Sequence, residues 1–174
     1  ILKPEPLFAA VESLQTDDSH IILLSPTGRL FNQSIANRLS NEESHLILIC
    51  GHYEGIDDRV RQELVHEEIS IGEYILTNGA LASAVLSDAV VRLIPGVLGG
   101  GRESLINESF NKEKMEHPQY TRPETFRNMS VPKILLSGDH SAILKWKKLK
   151  SEENTNIYNE NLKDKSSKKT ENNT

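Results

Sequence analysis

The sequence is poor in the features that define several large protein classes. It holds one cysteine, Cys50, which excludes an internal disulfide framework and suits a reducing cytoplasm. No apolar run approaches membrane-spanning length and no signal-peptide pattern opens the chain, so no membrane partner is expected. None of the six histidines pairs with another His or Cys at metal-ligand spacing, which argues against a zinc site. The P-loop and G-x-G-x-x-G nucleotide fingerprints are absent, and there is no internal repeat. A basic excess is missing too. The formal net charge of −5 argues against a generally basic nucleic-acid coat, although a local basic patch stays open.

What is present suits a globular chain. Hydrophobic residues make up 37% and charged residues 26% of 174 positions, enough for one domain with a real core, alone or with a small appendage. Residues 4–14 read as a helix with Leu7, Val11 and Leu14 on one face and Pro4 and Pro6 in its first turn. Residues 20–24 form a buried strand ending in the turn Ser25-Pro26-Thr27-Gly28. A helix over 32–39 follows, with Ile35 and Leu39 inward, and then a second strand over 46–50. A short charged helix over 57–64 turns Val60 and Leu64 inward. Residues 68–71 alternate like a third strand, and 80–93 form the most apolar helix, expected to be buried on most sides. Because the chain opens on Ile1 and on a helix, a further N-terminal segment is expected before it.

Alternating helices and strands predict an α/β domain with a mostly parallel sheet. In such sheets ligands bind beyond the carboxyl ends of the strands. Three loops lie there: 25–28, 51–55 (Gly51-His52-Tyr53-Glu54-Gly55) and 71–79. Glycine at these positions also suits ordinary turns, and composition alone leaves the two readings balanced. Against plain turns, Tyr53-Glu54 and Glu73-Tyr74 spend large polar side chains where a turn needs none.

Further along, residues 99–116 read as a flexible linker opened by three glycines. Residues 117–150 form a small region in which Gly138-Asp139-His140-Ser141 reads as a turn leading into a helix cap, ahead of a helix over 142–150. That helix sets Ile143, Trp146 and Leu149 on one face amid four lysines. Residues 151–174 are too polar to offset their ordering entropy and are expected to be disordered. Arg92, four residues after Asp88, has the favourable order for a helical ion pair, and spacing alone favours that reading over a role in the crevice. Glu108, taken alone, is a solvated carboxylate. The lysines around Trp146 suit a solvated face and an RNA contact equally.

Taken together, the strings resemble one family, the bacterial tRNA (guanine-N1)-methyltransferases of the trefoil-knotted SPOUT class. The strings are Leu24-Ser25-Pro26-Thr27-Gly28, Cys50-Gly51-His52-Tyr53-Glu54-Gly55-Ile56-Asp57-Asp58-Arg59-Val60 and Ser70-Ile71-Gly72-Glu73-Tyr74-Ile75-Leu76. They continue with Arg92-Leu93-Ile94-Pro95-Gly96-Val97-Leu98-Gly99, Glu108-Ser109-Phe110, residues 117–123 and Leu135-Leu136-Ser137-Gly138-Asp139-His140. Their order and spacing cover about residues 1–150.

The resemblance implies an α/β domain over residues 1–98 with a trefoil knot near its C-terminal end, an exception to unknotted topology, followed by a small helical region. It implies S-adenosylmethionine as cofactor, with Mg2+ as a further candidate, and tRNA and a second copy of the chain as partners in the cytoplasm. The implied cofactor contacts are Leu24, Ser25, Pro26, Gly51, Tyr53, Glu54, Ile71, Gly72, Glu73, Tyr74, Ile75, Leu76 and Gly79. Glu108 becomes the general base that removes the guanine N1 proton, and Arg92 the cation beside the developing charge on the guanine oxygen. Tyr120, Arg122, Lys145, Lys147 and Lys148 would grip the tRNA. The target is the guanine immediately 3′ of the anticodon, position 37. This chain departs from the family pattern in carrying Glu108 where Asp is usual and Asn78-Gly79-Ala80 where a glutamate often stands. The rival readings are a catalytically impaired RNA-binding fragment of the same fold, and a knotted methyltransferase acting on rRNA or on ribose.

Overall fold

The computed structural model describes residues 1–52, 54–98, 109–110 and 114–171, of which 164–171 are described in backbone only. The chain divides into two compact units, Ile1–Gly101 and Arg102–Thr174.

The first unit is an α/β layer structure. Strands β1 (Ser19–Leu30), β2 (His45–Cys50) and β3 (Glu67–Ser70) form a sheet of order β2-β1-β3. Both pairings are parallel. Helices α1 (Pro4–Leu14) and α3 (Asp58–Leu64) pack on one face, and α2 (Gln33–Glu42) and α4 (Ala80–Val91) on the other. Successive residues of a strand point to opposite faces. Ile21 and Leu23 therefore join Val11, Ile47, Ile49 and Val60, while Ile22 and Leu24 join Ile35, Leu39, Ile69, Leu86 and Val90. Burial on both faces is why the strand sequences are unbroken apolar runs.

Three details differ from the sequence reading. β1 does not stop at Leu24. Residues 25–28 leave the ladder and the strand resumes, so that both Leu24 and Arg29 face Ile69 on β3. Leu14 is 60% exposed rather than inward, because α1 meets the sheet through Val11 and Leu7. Helix α4 buries only Ala82, Leu86 and Val90. Leu81 (67% exposed) and Val85 (50%) lie on its uncovered side.

In the second unit, β4 (Thr125–Phe126) and β5 (Met129–Ser130) form a small antiparallel hairpin. The turn uses Arg127 and Asn128, both at positive φ. Helix α5 (Lys133–Leu136) precedes α6 (His140–Glu171), whose start is capped when Asp139 Oδ1 accepts a hydrogen bond from the Ala142 amide at 3.0 Å. Residues 151–171, expected to be disordered, continue α6. Three of their polar side chains bind the backbone of residues 115 and 116. Ser151 Oγ donates to the Met115 carbonyl (2.6 Å), Asn154 Nδ2 to the Glu116 carbonyl (2.7 Å), and the Met115 amide donates to Thr155 Oγ1 (3.0 Å). Phe110 meets Tyr158 edge-on at 5.5 Å. Residues 115 and 116, read as the end of a flexible linker, are thereby held on the helix.

Candidate functional site

The three loops at the carboxyl ends of the strands converge, and specific contacts fix each of them. The excursion 25–28 is tied by Ser25 Oγ to Thr27 Oγ1 at 2.7 Å, and by Thr27 Oγ1 donating to Glu68 Oε2 at 3.3 Å. Its return depends on Gly28. A Cβ there would stand 2.5–2.7 Å from backbone atoms of Glu68 and Ile69.

The loop after β2 is anchored at its far end. The Leu2 amide donates to the Gly55 carbonyl and the Asp57 amide to the Leu2 carbonyl. Asp57, expected as the first helical residue, is the N-cap of α3 and accepts from the Arg59 amide at 3.0 Å. The Arg59 guanidinium closes a two-point pair on the same carboxylate, at 2.8 and 2.9 Å. The Arg59 side-chain hydrogen bonds, then its backbone amide, lower the Asp57 pKa to about 2.

A carboxylate whose folded pKa is depressed stabilises the fold above its unfolded value, about 4, and loses that contribution as pH falls through its folded value. The urea midpoint of the wild type over Asp57→Ala should therefore show a constant advantage above about pH 4. The advantage should shrink as pH approaches 2. A difference independent of pH over that window would contradict the cap.

The loop after β3 starts from Ser70, buried, whose Oγ donates to the Gly72 carbonyl at 3.0 Å. Its end crosses the preceding loop. His52 and Asn78 form an antiparallel bridge, and the Gly79 amide donates to the Gly51 carbonyl at 2.9 Å. A Cβ on Gly79 would lie 2.9 Å from Cys50 Cα, so only glycine lets the two backbones meet. Asn78 Oδ1 then accepts from the Ala80 amide at 2.9 Å at the start of α4.

Together the loops enclose a cavity of about 370 Å3, within the size range of small-molecule sites, roughly 300–1,000 Å3. Leu24, Ser25, Pro26, Gly51, Glu54, Ile71, Gly72, Tyr74, Ile75, Leu76 and Gly79 all line it. Glu73 does not, and Tyr53 lies outside the described residues. His52, Gly55 and Thr77 also line the cavity without having been singled out. Their only signal in the sequence is membership of the same loops. Apolar wall, backbone amides and carbonyls, and one carboxylate (Glu54) form a donor and acceptor set suited to a nucleoside with a charged tail.

Of the two catalytic candidates, the described one, Arg92, does not line this cavity. Arg92 is the half-buried C-cap of α4. Ala82, near the other end of that helix, is the residue of α4 that lines the cavity. Ten residues of helix separate them by ~15 Å. Glu108 lies outside the described residues. Among the described residues no group of three or more His, Cys, Asp or Glu side chains is placed to hold a metal ion. In the second unit Tyr120, Arg122 and Lys147 line a separate cleft, while Lys145 and Lys148 are exposed on α6. No helix among the described residues is long and apolar enough to cross a membrane.

Comparison with known proteins points the same way. Residues 1–165 match the family model described as tRNA (Guanine-1)-methyltransferase TrmD. A protein of Dictyoglomus turgidum named tRNA (guanine-N(1)-)-methyltransferase is 52% identical over 167 residues, covering 96% of this chain and 67% of its own. Proteins of the same name from Carboxydothermus hydrogenoformans and Staphylococcus haemolyticus are 54% and 53% identical. They cover 89% and 84% of this chain and 60% of their own length in each case. The chain thus spans 60–67% of the length of these relatives.

Proposed function

The chain belongs to the tRNA (guanine-1)-methyltransferase family, and on that footing we propose that it methylates N1 of the guanine immediately 3′ of the anticodon in tRNA. The observation that carries the proposal is the convergence of three loops on one cavity at the carboxyl ends of parallel strands. That is where an α/β sheet binds its ligand. The cavity would hold S-adenosylmethionine through the residues of its three loops. When bound, the cofactor supplies an electrophilic methyl group on a sulfonium.

The chain's own residues deal with the acceptor. Guanine N1 carries a proton at neutral pH and has no free lone pair until that proton leaves. Glu108 takes it as general base. Negative charge then gathers on the guanine oxygen, where the guanidinium of Arg92 stabilises it.

The separation of Arg92 from the cavity along α4 favours a site built between two subunits, and the uncovered apolar side of α4 supports the same arrangement. Exposed apolar patches mark interfaces, and Leu81 and Val85 are joined by exposed Ile94 and Val97. The active form is accordingly a homodimer. Sedimentation equilibrium should give a dimer that Val85→Asp converts to monomer, and a monomeric wild type would refute it. The knotted topology and a cytoplasmic location belong to the same proposal. They rest on the family and, for the location, on the lone Cys50 and the tRNA substrate.

The test is to incubate the chain with methyl-labelled S-adenosylmethionine and a tRNA transcript, then digest the RNA to nucleosides. Label in N1-methylguanosine at position 37 is expected. Label on ribose, or transfer to rRNA only, would replace this reading with a related methyltransferase.

A further inference from the structure

The excursion 25–28 brings Ser25 and Pro26 to the cavity wall, yet the side chain that holds it stands outside the cavity. Glu68 on β3 does not line the cavity, and it meets the excursion twice. Its carbonyl carbon lies 2.6 Å from where a Cβ on Gly28 would stand. Its Oε2 accepts from Thr27 Oγ1 at 3.3 Å. The other oxygen, Oε1, accepts from Arg61 Nη1 at 3.2 Å, and Arg61 Nε donates to Asp58 Oδ1 at 2.8 Å. Asp58 opens α3, next to the N-cap Asp57 that follows the loop after β2. One line of hydrogen bonds therefore runs from Ser25 through Glu68 to the far end of a second cavity loop.

Counting protons gives that line a direction. A carboxylate only accepts, and a hydroxyl has one proton and two lone pairs. Thr27 Oγ1 gives its proton to Glu68. The 2.7 Å bond between Ser25 Oγ and Thr27 Oγ1 must then use the Ser25 proton. One lone pair of Ser25 Oγ takes the Thr27 amide at 3.3 Å. What Ser25 Oγ keeps for a ligand at the cavity wall is one acceptor site and no proton.

We propose that Glu68 is a positioning residue for cofactor binding. Through Thr27 it fixes the Ser25–Pro26 wall and sets Ser25 Oγ as an acceptor, matched to a hydroxyl or amino donor of the ligand. The inference rests on the cofactor reading above and adds what orients one wall of that cavity.

Calorimetric titration of S-adenosylmethionine into Thr27→Val, Glu68→Ala and the double variant tests the proposal. Each single variant should weaken binding roughly three- to tenfold, the net worth of one hydrogen bond. The double variant should bind no more weakly than the weaker single one, because the two side chains act through one bond. Thr27→Ser keeps the hydroxyl and should restore wild-type affinity. Thr27 is exposed, so Thr27→Val should keep the wild-type urea midpoint and report on binding alone. Wild-type affinity in Thr27→Val, or losses that add in the double variant, would overturn the role of Glu68 and leave the cofactor reading intact. A loss that Thr27→Ser shares would assign the effect to packing, against the proposal. Absence of binding to the wild type would overturn the cofactor reading and this inference together.

Discussion

Glu108→Gln is expected to lower the single-turnover rate of methyl transfer by roughly 10²–10⁴-fold, the usual worth of a positioned general base. The dissociation constant for S-adenosylmethionine should stay at its wild-type value. The amide keeps the size and the hydrogen-bonding reach of the carboxylate but cannot accept a proton from guanine N1. Without that transfer the ring nitrogen has no lone pair to offer the sulfonium methyl, whatever the geometry. Glu108→Asp keeps the chemistry and shortens the reach by one methylene. It should retain most of the rate, because the resemblance puts aspartate at this place in most of the family. The separation of rate from binding is the informative part. Loss of both would point to misfolding, and an unchanged rate in Glu108→Gln would remove Glu108 from the mechanism.

The second large effect is structural and acts on the cavity from behind. Gly28→Ala should destabilise the fold by at least ~1–3 kcal/mol, the cost of forcing atoms into a well-packed site. The new Cβ would sit 2.5 Å from the Ile69 nitrogen, 2.6 Å from the Glu68 carbonyl carbon and 2.7 Å from the Ile69 carbonyl carbon. All three are backbone atoms of the strand that β1 must rejoin, so no rotamer change relieves the clash. The excursion that carries Ser25 and Pro26 into the cavity would move with it, and cofactor affinity should fall as well. Gly51→Ala is the control, because a Cβ there meets nothing within 4 Å and stability should stay near wild type. Equal urea midpoints for the two variants would contradict this account of the loop.

These residues also show what the sequence can and cannot reveal. The strands were legible because burial on both faces turns them into unbroken apolar runs, as at Ile21-Ile22-Leu23-Leu24. The resumption of β1 was not, since Arg29 and Leu30 pair with β3 over too short a stretch to leave a periodicity. Composition marks Gly28 and Gly79 as turn residues; it does not register that another backbone passes within contact of each. The polar stretch after Lys150 misled for a related reason. Ser151, Asn154 and Thr155 count as solvated in any tally of hydrophobicity, yet they bind the backbone of residues 115 and 116. Tertiary partners of that kind lie dozens of positions away. The apolar composition of α4 misled in the opposite direction, because it records that Leu81 and Val85 are apolar without saying that both stand exposed on the helix. The cavity residues were legible as loops at strand ends. Their assignment to one cofactor came from the family strings, and His52 escaped because nothing local predicts its bridge to Asn78.

Whether the three-loop cavity is the cofactor site is decided by calorimetric titration of S-adenosylmethionine into the wild type and Gly51→Val. Gly51 lines the cavity and its Cβ direction is open, so the variant should fold and fill ligand space. Saturable binding to the wild type is expected, lost in Gly51→Val while its urea midpoint is kept. Equal affinity in the two proteins would put the cofactor somewhere other than this cavity.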